Sequence, residues 1–286
     1  MSDMIPVSYF SARARSLVLV IGLAVALSSA CLADLRRAKL EYAAGQEFAR
    51  TSQTARAIAH WKRSLEEASK ACRRRPSAQA FAVKGLVEAN LARWREAEAS
   101  FLQAFSFGFG PGEAWASDSA LVGLAASFED MDLDAPALRI YAQVADRSDF
   151  RPAIMAAAER RTNLVLAQTA DLEPGEKARA LATLGKSLDR LIDRDFACGL
   201  YHYLRAQVDA HLGDLRRSYE EAVMARELGL PTEKIGRDND NQLVYCYVRL
   251  RDSAPPAERE ALATVQARWA AKWGWHDDRT PAWKKD

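Results

Sequence analysis

Small and aromatic residues recur along the chain at a spacing of 40 positions. Gly45, Gly85 and Ala125 fall in register. So do Ala57, Ala97 and Ala137, then Trp61, Phe101 and Tyr141, then Ser64, Ala104 and Val144. The last three positions of each unit stand at i, i+4 and i+7, one face of an α-helix. The first small residue lies 12 positions before the second, on a preceding helix with a turn between. Small residues at both places let the two backbones approach, and the aromatic fills the gap against the next unit. No such pair buries its own face, so the pairs must stack.

Two further units follow with weaker patterning. Ala153–Leu191 reads as two helices broken near Leu172-Glu173-Pro174-Gly175. In Leu200–Pro231, Tyr201, Leu204 and Val208 share a face and Gly213-Asp214 turns the chain. Ser218, Ala222 and Ala225 then repeat the second-helix spacing, and Gly229-Leu230-Pro231 ends it. Residues 232–286 differ. Asp238-Asn239-Asp240-Asn241 predicts a cap for a helix starting near Gln242. Leu243–Val248 has strand propensity, but a lone strand in a helical array lacks a pairing partner, which favours a helix. Ala254-Pro255-Pro256 breaks it, and a last helix runs from about Ala257 to Trp273. The fold expected is all-α: an α-solenoid of about five helix pairs over residues 34–231, with a C-terminal helical cap and tail over 232–286.

Composition agrees with that class. Only 14 Gly and 10 Pro in 286 residues leave little turn material for an all-β chain. Hydrophobic residues at 49% suffice for a core. With 40 Lys+Arg against 38 Asp+Glu the net charge is +2, which excludes a chain built mainly to bind nucleic acid.

The N-terminal stretch has a different pattern. Arg13 and Arg15 precede an uncharged run from Ser16 to Ala33 with its apolar centre at Leu17–Leu27. That is the layout of a secretory signal, and it is short of the ~20 apolar residues of a stable span. Leu27-Ser28-Ser29-Ala30-Cys31 resembles a bacterial lipobox, with Ser28 where that family has a Leu-type residue. The resemblance implies a lipoprotein-type signal peptide over 1–31 and lipidation of Cys31. Ordinary cleavage after Ala30 or Ala33, or an uncleaved anchor, are the alternatives. All three place the remaining chain outside the cytoplasm, and Leu32 after the Cys is associated with sorting to the outer membrane.

The paired units resemble the tetratricopeptide repeat. The best copy runs from Gln79 to Pro111, with Phe81, Gly85, Ala97, Phe101 and Ala104 in the family's order. Lys84 stands at the family's Leu and Glu88 at its Tyr. The period of 40 exceeds the family's ~34, the extra residues falling in loops such as Arg73-Arg74-Arg75-Pro76-Ser77 and Phe109-Gly110-Pro111-Gly112. The resemblance implies a groove lined by the first helix of each pair. Carried over, its positions are Tyr42, Gln46 and Arg50, then Gln79, Leu86 and Asn90, then Ser119, Val122, Glu129 and Asp130, a mixed surface suited to a peptide segment. Some relatives clamp a terminal carboxylate there. Lys39, Arg50 and Asn90 echo that clamp, and Glu129 and Asp130 oppose it.

Other residues carry weaker chemistry. Arg73-Arg74-Arg75 suits phosphate or anionic headgroups, or simply complements the end of a helix. His60, His202, His211 and His276 form no metal-ligand spacing, and His276-Asp277-Asp278 does not converge from a tail. In an exported chain a Cys198–Cys246 bridge is open, with unlinked buried thiols as the alternative. Glu129, Asp130, Asp132 and Asp134 read as turn caps rather than a catalytic carboxylate pair. No catalytic constellation and no cofactor motif stands out. The function expected is a non-enzymatic periplasmic scaffold, an outer-membrane lipoprotein binding partner proteins in an envelope assembly, secretion or export complex. The alternatives are an accessory component of a solute transporter, which predicts a closed pocket, and an enzyme acting on cell-wall material or polysaccharide, which needs convergent carboxylates.

Overall fold

The computed structural model describes residues 33–273. The signal segment with Cys31, and the tail with Trp275, His276 and Trp283, lie outside the described residues. Within them the chain is helical throughout and has no strand. The first helix, α1, covers residues 33–50. After it come α2 (Thr54–Arg74), α3 (Ala78–Asn90), α4 (Trp94–Phe107), α5 (Ala114–Asp130), α6 (Asp134–Arg147), α7 (Arg151–Gln168) and α8 (Pro174–Arg194). The series ends with α9 (Gly199–Leu212), α10 (Leu215–Leu228), α11 (Glu233–Ser253) and α12 (Pro256–Trp273). Two compact units divide after Leu133, the first holding α1 to α5 and the second α6 to α12.

The 40-residue period is written into the backbone. Ser52, Ala92 and Asp132, spaced by 40, all take positive φ, at 59, 56 and 60°. In each turn the residue after it donates its N–H to the carbonyl five positions back: Gln53 to Phe48 at 2.8 Å, Arg93 to Glu88 at 2.9 Å, Leu133 to Phe128 at 2.8 Å. The positive-φ residue itself donates to the carbonyl three back, at 3.0 Å in all three turns. This is the Schellman motif, which satisfies the carbonyls orphaned at a helix C-terminus. It recurs between α9 and α10, where Gly213 at φ 83° supplies the left-handed residue and Asp214 donates to Asp209 at 2.9 Å. Only that copy uses glycine. Ala92 bears the left-handed penalty of about 1–2 kcal/mol, of which glycine's own entropy would take back part. Ala92→Gly is therefore expected to raise stability by about 0.5–1 kcal/mol, read as a higher urea midpoint at unchanged slope.

The packing follows the small–aromatic pattern. Trp61 of α2 lies against Gly45 of α1, and a Cβ on Gly85 would stand 2.7 Å from the Phe101 ring of α4. Phe101 also faces Gly123 of α5 closely enough that a Cβ there would enter the ring. The aromatic of one pair thus bridges to the next, through Gly123 rather than through Ala125, two positions on. Ala57, Ala97, Ala137, Phe101 and Tyr141 are all completely buried. In unit 2, Leu181, Leu184 and Leu188 of α8 pack with Tyr201, Leu204 and Val208 of α9. Tyr219, Leu243, Tyr247 and Trp269 join α10, α11 and α12.

One expected element is corrected. The acidic–amide run 238–241 does not cap a helix near Gln242. Helix α11 starts at Glu233, where the Thr232 hydroxyl accepts from the Ile235 N–H at 3.2 Å. The run lies inside the helix because Asn239 is completely buried and gives its Nδ2 to the Ala222 carbonyl at 3.0 Å. The Leu243–Val248 segment is helical as expected. Cys72, Cys198 and Cys246 are free, buried thiols. Cys198 and Cys246 belong to different clusters, and Ser218 and Gln242 contact the Cys246 sulfur at 3.2 and 3.4 Å.

Candidate functional site

In unit 1 the first helices of the pairs present a half-buried polar face. Near its start, Lys39 Nζ of α1 donates to Gln79 Oε1 of α3 at 2.7 Å. Gln79 Nε2 donates in turn to Glu113 Oε1, ahead of α5, at 2.6 Å. Lys39 also sits 4.6 Å from the centroid of the Trp115 ring, a cation–π contact. Burial lowers the Lys39 pKa, with Glu113 opposing the shift. Further along, Gln46 Nε2 donates to Tyr42 Oη at 2.6 Å and contacts Asn90 Oδ1 at 3.4 Å. Asn90 Nδ2 donates to the Leu86 carbonyl at 2.7 Å. Burial raises the Tyr42 pKa, against hydrogen bonds from Gln46 and Asn90.

Four groove positions are thereby brought together, Tyr42, Gln46, Leu86 and Asn90, while Gln79 belongs to a separate group with Lys39 and Glu113. Arg50 stands apart, exposed at the end of α1 and paired with Glu47 at 3.0 Å. Glu129 and Asp130 close the last turn of α5, where the Glu129 carbonyl accepts from the Asp132 N–H at 3.0 Å. The three groups echoing a carboxylate clamp each have another partner. Lys39 is held by Gln79, Arg50 by Glu47, and the Asn90 amide by its own helix. What sequence spacing missed are Glu113 and Trp115, which lie in the first turn of α5 and its approach, ahead of the positions carried over.

Unit 2 holds a polar cleft of about 380 Å³ between α9 and α11, lined by Gln207, Ala210, His211, Asp238, Gln242 and Tyr245 among others. On the side of α9 that meets α8 and α10 lies a buried ionic cluster. Arg205, 5% exposed, pairs with Asp209, 1% exposed, and with Asp189 of α8 at 2.8 Å. Arg217 reaches Asp189 at 2.6 Å and Asp209 at 3.6 Å. Desolvation pushes the Asp209 carboxyl up to about 6 against Arg205 and Arg217. His202, 2% exposed, contacts Glu221 through Nδ1 at 2.7 Å and the Phe196 carbonyl through Nε2 at 2.9 Å. The Phe196 carbonyl can only accept, so Nε2–H donates to it, which leaves Nδ1 facing the Glu221 carboxyl. The His202 pKa is raised, its burial opposing and its contacts with Glu221 and Phe196 prevailing.

The same register holds a smaller cluster in unit 1. Lys84 and Glu88 stand eight and four residues before Ala92, as Arg205 and Asp209 stand before Gly213. Lys84 pairs with the buried Glu88 at 2.9 Å, and Ser100 Oγ donates to Glu88 at 2.5 Å. Lys84 and Glu88 stand where the best copy lacks the tetratricopeptide Leu and Tyr, and the two substituted charges neutralise each other.

No group of three or more His, Cys, Asp or Glu able to hold a metal occurs among the described residues. No helix among them is long and apolar enough to cross a membrane. No protein-family model matches the chain, and no curated protein matches it. Among solved structures it is similar to the "TPR2AB-domain:pHSP90-complex of yeast Sti1", at 12% identity, covering 83% of this chain and 92% of that one, with a TM-score of 0.32. At that score the likeness carries no weight. The helix-hairpin repeat rests on the turns and packing described above.

Proposed function

We propose that this chain is a non-enzymatic, tetratricopeptide-like scaffold that binds a segment of a partner protein along the first-helix face of unit 1. The supporting observation is two half-buried polar groups on the first helices, Lys39 with Gln79 and Glu113, and Tyr42 with Gln46, Asn90 and the Leu86 carbonyl. Their amides can pair with a partner's backbone, while Leu86 and Trp115 offer apolar contact. Tyr42 within these groups and Trp115 beside them also pack against the cluster of Ala57 and Trp61. The mixed character of this face suits a peptide segment better than an isolated charge.

In this reading the chain is exported, Cys31 becomes the lipidated first residue, and the scaffold works on the periplasmic side of the outer membrane in an assembly, secretion or export complex. The lipobox-like Leu27-Ser28-Ser29-Ala30-Cys31 supports it. The test is the intact mass of the protein extracted from membranes of a Gram-negative host. A mass of residues 31–286 plus a diacylglyceryl and an acyl group is expected. An unlipidated chain starting at Cys31 or Asp34 would contradict the anchored reading.

A further inference from the structure

The end of unit 1 where α1 begins gathers features that the partner-binding face does not use. Arg74 Nη1 holds Asp34 Oδ2 at 2.7 Å, tying the last turn of α2 to the first turn of α1. Leu35, Ala71, Cys72 and Ala80 pack together there with Phe81, so the start of α3 joins the same seam. Phe81 stacks on Phe107 with ring centroids 5.4 Å apart, which brings in the end of α4. Around this seam Arg36, Arg73 and Arg75 are exposed, and no ion pair among the described residues involves them. Asp34, the carboxylate in the seam, is already taken by Arg74. Phe107 keeps 47% of its surface exposed. Arg37 instead lines a groove with Glu41, Glu66 and Glu67.

We infer that this end of unit 1 is a membrane-contact surface, with Arg36, Arg73 and Arg75 on anionic phospholipid headgroups and Phe107 in the interfacial layer. Exposed arginines beside an exposed aromatic match that boundary, where cations meet anionic lipid and aromatic rings sit at headgroup depth. The covalent geometry points the same way, resting here on the proposed lipidation of Cys31. One residue separates Cys31 from Ala33, the first described residue of α1, so the covalent chain holds the two within about 7 Å. An acylated Cys31 therefore leaves no spacer, and the end of the unit that carries the free arginines is the end held against the bilayer. Complementary charge and tether position choose the same face.

The test uses the full chain carrying Cys31→Ser, so that no acyl chain contributes. Its binding is measured at low salt to vesicles of phosphatidylcholine and to vesicles of phosphatidylcholine with phosphatidylglycerol. Changing Arg36, Arg73 and Arg75 together to Glu is expected to cut affinity for the phosphatidylglycerol vesicles at least about tenfold. Binding to phosphatidylcholine alone stays the same, so the leader's own apolar run cancels from the comparison. The milder change of all three to Gln is expected to lose several-fold with unchanged helicity, which covers the case that charge reversal disturbs folding. Equal affinity of the parent and both variants for phosphatidylglycerol vesicles would overturn the inference. Because no acyl chain is attached in any of these proteins, that outcome is separate from the intact mass, which decides the anchoring alone.

Discussion

Arg205→Ala is expected to destabilise unit 2 by about 3–5 kcal/mol, the cost of leaving a buried charge without its partner. Asp209 would keep its place in the core between α9 and α10, with only Arg217 at 3.6 Å to answer it. Replacing the pair together, Arg205→Met with Asp209→Leu, is expected to recover most of that loss, since apolar residues of similar volume often substitute for a buried ion pair at no net cost. The loss also depends on pH, and its sign is fixed by Asp209. A carboxyl raised to about 6 in the folded state, above its unfolded value of 3.8, binds its proton more tightly when folded. Its contribution is fully present below 3.8 and is lost as pH rises through about 6. Removing Arg205 raises that carboxyl further. The single variant should therefore fall further behind the wild type at pH 8 than at pH 5, in urea titrations at each pH. Equal losses at both pH values would mean that Asp209 is not held ionised by Arg205.

Gly123→Leu is expected to have a comparable effect in unit 1. The Phe101 ring lies between Gly85 and Gly123, and a Cβ at either position meets it inside contact distance. Phe101 is completely buried and has no open side into which to move. Overpacking of this kind costs about 1–3 kcal/mol or more, and the closed surroundings put this site at or above the upper end. Hydrogen exchange should show the lost protection in α3, α4 and α5, with α8 to α10 unchanged. Combining Gly123→Leu with Phe101→Ala should restore part of the loss, because the new side chain then fills the space the ring vacates. Gly175→Ala is the matching control. Nothing stands within 4 Å of a Cβ there, and in the first turn of α8 the change should be neutral or slightly stabilising.

The hairpins were readable in the sequence because small and aromatic residues decide how closely two helices approach, and they repeat at 40 positions. Trp61 against Gly45 and Phe101 against Gly85 follow from that spacing. The turns were less readable. Of the four Schellman turns, glycine marks the left-handed residue at Gly213 alone, while Ser52, Ala92 and Asp132 take positive φ without a Gly to mark it. The start of α11 was misplaced for a related reason. Asp and Asn favour caps, but burial of Asn239 against the Ala222 carbonyl overrides local preference. Lys84 and Glu88 stand where the family has Leu and Tyr, and their mutual contact, with Ser100 on the next helix, is not legible from spacing. Arg205 and Asp209 escaped for the same reason, since a charge in sequence does not reveal that its partner is buried with it. Of the candidate face, the positions within α1 and α3 were legible from helical spacing. Glu113 and Trp115 were not, because they enter at the very start of α5.

The most direct measurement places a photo-crosslinking residue at Leu86, on the proposed face of α3, and another at Ile58 on α2, and irradiates living cells. A scaffold that binds through the first helices of unit 1 predicts a discrete protein adduct from Leu86 and none from Ile58. It also predicts loss of that adduct when Gln79 and Asn90 are both changed to Ala in a chain of unchanged helicity. No adduct at Leu86, or the same adduct from both positions, would contradict partner binding along this face.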